Sequence, residues 1–316
     1  MSTRAFVLLY LACLLGMLGL RFGLEGVMVQ VQAATATEAL RPDAVMAMPP
    51  KPQGAQDLPE AMGQGEGGSA LLTRARCDST EPGLKDICYH QLARQGAERD
   101  PQASLKICAL VADHETLLEC ISDIAELRAI VDRDGSVAIC KTLTDSVKWR
   151  GQCNFGIGLA LAETDPTFAL ARCEDAEVFR DFCRHDVVGE VALVDLAPAV
   201  AVCAREEGDT LTRKTCWHGI GKYLARRDFQ EASAACQQAT LSWRGNCYHG
   251  VGWGASERDP DGTLAQCDAL GIYRDNCQQG VAHQLKRADP ERAIALCEAI
   301  QTDEIRTRCL AFVTKG

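Results

Sequence analysis

The chain has 316 residues, 47% of them hydrophobic, 24% charged and only 5% aromatic, with a formal net charge of −10. That acidic balance argues against a nucleic-acid partner and against anionic lipid surfaces, and leaves neutral or basic partners open. Seventeen cysteines argue against a reducing compartment, since bridged thiols in such number persist in the periplasm, at a cell surface or outside the cell.

In chain order, residues 5–20 (AFVLLYLACLLGMLGL) form an uninterrupted apolar run behind Arg4. This reads as an export or membrane segment, within an expected signal anchor or signal peptide over residues 1–33. Arg21 can snorkel, so the run is expected to tether the chain to a membrane with the repeats outside the cytoplasm. Residues 34–76 include PPKPQGAQ and GQGEGG and show no sustained period. Such a composition cannot bury a core and is expected to be a disordered linker.

From Cys77 to Cys309, sixteen cysteines are spaced by alternating steps of twenty residues and of ten to thirteen. Fixed self-similarity at this period marks a stacked-repeat protein. Seven copies, each 30 to 33 residues long, open at Cys88, Cys120, Cys153, Cys183, Cys216, Cys247 and Cys277. Twelve residues into each copy stands an aspartate: Asp100, Asp132, Asp165, Asp195, Asp228, Asp259 and Asp289. Proline follows as Pro101, Pro166, Pro260 and Pro290. Asp accepts hydrogen bonds from a helix's first turn and Pro suits the first helical position, so a helix starts at a fixed place in every copy. Apolar or small residues recur at helical spacing on both sides of that aspartate. The unit is therefore an antiparallel pair of helices, A then B. A lone pair cannot bury its apolar faces, which predicts an all-α solenoid of about seven pairs over residues 77–316.

Counting fixes the sulfur partners. Pairs twenty apart would strand Cys77 and Cys309, whereas short-step neighbours pair all sixteen. Within a hairpin the two cysteines lie roughly 16 and 10 Å from the A–B turn, but across the B–A turn they lie at similar depth. The predicted bridges are Cys77–Cys88, Cys108–Cys120, Cys140–Cys153, Cys173–Cys183, Cys203–Cys216, Cys236–Cys247, Cys267–Cys277 and Cys297–Cys309. Each is worth about 3 kcal/mol in the chain-entropy account.

Positions that recur are those the fold needs. Lys85, Arg150, Arg180, Arg213, Arg244, Arg274 and Arg306 each precede an A-helix cysteine by three residues, where a cation can bond the orphan carbonyls of the preceding helix. Glycines at Gly156, Gly158, Gly219, Gly221, Gly250, Gly252 and Gly280 point to close approach of neighbouring A helices. Two residues after the cysteine, the side chain points roughly 200° away from the bridge, and the sixth residue continues that face. His90 with Arg94, Phe155, His185, His218, His249 with Trp253, and His283 occupy these columns, beside Trp217 and Tyr248. Their aromatic and imidazole chemistry makes them the candidate contact residues for a protein or peptide ligand on a concave helix-A face.

Helix packing at about 10 Å predicts that single histidines on successive copies stand too far apart to share an ion. His249 with His283 is the one weak metal candidate. CxxCH, HExxH and GxSxG are all missing from the sequence, so neither cofactor nor catalytic residue is assigned. The unit of about 31 residues resembles tetratricopeptide-like helical hairpins and, in its use of cysteines, the Sel-like repeats; it lacks either consensus. That resemblance implies a scaffold that binds protein or peptide. The alternatives are an extracytoplasmic metal- or haem-handling protein that uses the histidine column, or a structural envelope spacer.

Overall fold

The computed structural model describes residues 72–205 and 210–315, without the side chains of 210–212. The expected export segment and nearly all of the expected linker lie outside the described residues. Within them every regular element is helical and there is no strand. No described helix is long and apolar enough to cross a membrane.

Short and long helices alternate. The short ones are α1 (Arg74–Asp78), α3 (Pro101–Cys108), α5 (Arg133–Lys141), α7 (Pro166–Arg172), α9 (Leu196–Ala204), α11 (Phe229–Cys236), α13 (Pro260–Cys267) and α15 (Pro290–Ala299). The long ones are α2 (Pro82–Gly96), α4 (His114–Arg128), α6 (Val147–Leu161), α8 (Arg180–Val194), α10 (Thr210–Arg227), α12 (Leu241–Ser256), α14 (Arg274–Leu285) and α16 (Asp303–Val313). All seven recurring aspartates cap a short helix, from Asp100 Oδ1 accepting the Ala103 N–H to Asp289 Oδ1 accepting that of Arg292. Each cap satisfies one of the donors that a helix start leaves open.

Eight disulfides tie each short helix to the long helix that follows it, joining the short-step neighbours from Cys77–Cys88 to Cys297–Cys309. Their Cα atoms stand 5.2–5.7 Å apart, inside the span of an ordinary bridge. Beside the bridges, the recurring arginines hold the same turns closed. Arg180 donates to the Glu174 carbonyl, Arg244 to those of Gln237 and Ala239, and Arg306 to that of Ile300, at 2.9 to 3.1 Å. These carbonyls lie one to three residues past the last turn of the preceding short helices, where the macrodipole also favours a cation.

The long helices pack in succession, α2 on α4, α4 on α6, and so on to α14 on α16. One continuous core runs from Ala93 to Val313 through Ile124, Ile157, Val187, Ile220, Val251 and Val281. Where α8, α10, α12 and α14 meet, no side chains separate the backbones. A Cβ on Gly219 would strike the carbonyl of His185, one on Gly250 that of His218, and one on Gly280 that of His249. Gly221 and Gly252 face the carbonyls of Cys247 and Cys277 in the opposite direction. The ordinary helix spacing of about 8–10 Å assumes side chains at the contact. Glycine on the contact line removes them, and the expectation that histidines on successive copies stay apart fails here for that reason.

Candidate functional site, a buried histidine row

Each histidine of α8, α10 and α12 sits immediately before or beside one of these notches, so the contact that draws the backbones together also draws the imidazoles together. The ring centroids of His185 and His218 are 4.9 Å apart, those of His218 and His249 4.8 Å, and those of His249 and His283 4.8 Å. His185 Nε2 meets His218 Nδ1 at 2.7 Å, and His249 Nε2 meets His283 Nδ1 at 2.9 Å. Trp253 lies edge-on to three of the rings at 5.7 to 6.0 Å, and Phe312 covers His283 at 4.1 Å.

One end of the row is anchored. Asp186, buried, accepts from His185 Nδ1 and, at 3.0 Å, from the Tyr223 hydroxyl. The His185 Nε2–His218 Nδ1 contact is a single shared hydrogen bond, its direction set by which nitrogen of each ring carries the proton. The Nε2 atoms of His218 and of His283 are buried and meet no hydrogen-bond partner. Burial, then the neighbouring histidines, hold His218 well below the usual imidazole range, and burial followed by His283 and Lys214 does the same to His249. Burial, reinforced by Lys286 and Arg308, lowers His283 to about 3. Burial works against ionised Asp186, but the hydrogen bond and charge of His185 outweigh it and leave the carboxyl below its ordinary value. Tyr223 is raised by burial and by Asp186, and Lys222 lowered by burial and Arg226. Three of the four imidazoles are thus neutral at neutral pH.

The same geometry relocates the residues predicted to touch a partner. Trp217 and Tyr248 are each 2% exposed and belong to the core, where Tyr248 stacks on Tyr273 at 4.8 Å; they offer a partner no surface. His249 and His283 are buried inside the row, and His185, His218 and Trp253 are only partly open. His90, also buried, is not in the row: with Arg94 it converges on Asp123 of α4, at 3.0 and 2.8 Å. Phe155 is half-buried and stacks on Phe179. The columns face the neighbouring helix rather than an open groove. Lys222 continues the His218 column one turn on, and Asp186, Lys214, Tyr223, Arg308 and Phe312, which no sequence pattern marked, complete the surroundings. Lys214, His218 and Lys222 stand four apart on α10, a stripe that helical periodicity displays once one member is known.

A metal ion is poorly served by this arrangement. Two nitrogens on one ion each need about 2.0 Å to it, and the facing pairs are at hydrogen-bond distance from one another. Among the described residues no group of three or more His, Cys, Asp or Glu side chains is placed to hold a metal. Lys214, Lys222, Lys286 and Arg308 add positive charge around three of the rings, against Asp186 as the anion at the row's end. Comparison with protein-family models, with curated proteins and with solved structures gives no match.

Proposed function

We propose that this protein is an extracytoplasmic, membrane-tethered α-solenoid that serves as a scaffold for a neutral or basic protein segment. The observation that carries the reading is a row of exposed aliphatic side chains at the bridged turns. Val147, Val178, Leu241 and Ile272 are 49, 62, 75 and 84% exposed, and each stands five or six residues before the bridged cysteine of a long helix. They take matching places in four copies, two pairs each 31 residues apart, with one copy passed over between Val178 and Leu241. Regularly placed exposed apolar groups are the usual mark of a contact surface.

Electrostatics narrows the partner. Asp145, Asp175, Asp268 and Asp303 are exposed at the same kind of turn, and the chain as a whole carries −10. An extended segment with apolar side chains and basic neighbours matches that surface. The contact edge is therefore assigned to the turns between short and long helices, in place of the helix-A columns, whose aromatic members are largely buried. The eight bridges fit an oxidising compartment and would hold the row's spacing against deformation.

The test pairs the full chain with a Val178→Ser/Leu241→Ser/Ile272→Ser variant in affinity capture from the native envelope. The expected result is a component held by the parent and lost by the variant, with the thermal midpoint of the two proteins the same. Equal capture by both would remove this edge from consideration.

A further inference from the structure

The four adjacent imidazoles have no role in the proposed contact edge, and their position suggests a different use. They lie at the seams between α8, α10, α12 and α14, where glycine notches bring backbone against backbone. We propose that the histidine row is an acid-sensitive seam: closed at neutral pH, it opens between α10, α12 and α14 when the imidazoles take up protons.

The charged groups that face the row are mostly cations, with Asp186 the one anion among those named. From α8 come His185 and Asp186, the latter already engaged by His185 and Tyr223. From α10 come Lys214 and Lys222, from α16 Arg308, and just beyond α14 Lys286. A proton on His218, His249 or His283 therefore meets cations on most sides and another imidazole about 4.8 Å away. Asp186 lies at the His185 end and cannot neutralise three charges. Water can, but only after the helices part, because the exposed form restores hydration to each imidazolium.

The direction with pH follows. In the opened state each imidazole regains an ordinary value near 6.5, whereas in the closed state His283 titrates at about 3 and His218 and His249 well below 6.5. Below about pH 6.5 the opened state binds more protons, so the closed form is favoured less as pH falls, and the effect is absent above that pH. Each histidine contributes a factor of about ten per pH unit to the opening equilibrium, and three acting together about a thousand.

Hydrogen exchange on the full, oxidised chain at pH 7 and pH 5, corrected for intrinsic exchange, tests the seam. Residues 216–224, 247–255 and 277–285 are expected to lose at least a hundredfold in protection at pH 5, while residues 118–127 of α4 keep theirs. Unchanged or uniformly changed protection would overturn the proposal. A His249→Gln variant should show the same local opening with a pH dependence about tenfold shallower per unit; a slope equal to the parent's would remove His249 from the seam. Should that variant not fold, the parent's exchange pattern decides alone.

Discussion

Glycine at a helix contact illustrates how a single residue's effect depends on what lies across from it. In isolation Gly costs about 1 kcal/mol against Ala in a helix interior, so Gly252→Ala would stabilise α12 as a free helix. In the protein its Cα faces the Cys277 carbonyl, and backbone cannot swing aside as a side chain can. The variant is expected to lose about 1–3 kcal/mol, as overpacked sites do. Gly83, near the start of α2, has nothing within 4 Å of a built Cβ, and Gly83→Ala should gain roughly 0.4–1 kcal/mol. Urea unfolding of the two variants checks the opposite signs. The histidine beside each notch was visible in the sequence, and so was the glycine. Their coupling was not, because it depends on a distance across helices rather than on any spacing along the chain.

At the scale of the element, the short helices owe their starts to local chemistry alone. Asp259 accepts from the Gly262 N–H at 2.9 Å, Pro260 occupies the first helical position, and helix α13 begins there. Removing the cap by Asp259→Ala should cost about 1 kcal/mol in urea unfolding, with hydrogen exchange rising first in residues 260–267. Such features span three or four residues and need no tertiary information, which is why all seven recurring aspartates could be placed in advance. The arginine clamps belong to the same class, since they reach carbonyls only five to seven residues back in the chain. The aromatic columns do not. Helical periodicity put Trp217, Tyr248 and the histidines away from the bridge. It could not tell whether that direction opens on solvent or on a neighbouring helix, and two of the residues chosen for partner contact turned out to be core.

Across the whole molecule, contacts run between consecutive helices and each sulfur bridge closes a loop of only ten to thirteen residues. Stability in such an arrangement is nearly a sum of local terms. Replacing Cys267 and Cys277 together by alanine should cost about 3 kcal/mol and raise hydrogen exchange in α12 to α15, while α2 to α4 keep their protection. Uniform loss of protection along the chain would show instead that the core melts as one unit.

The sequence by itself determined the helical unit, its caps and the short-step logic of the bridges, because all three depend on residues within about a dozen positions of one another. Only the tertiary structure decided that four imidazoles meet ring against ring, that two aromatic side chains are buried and that a row of aliphatic ones is not. Those outcomes rest on how closely two backbones approach and which face each helix turns to its neighbour, and both are properties of the packed molecule.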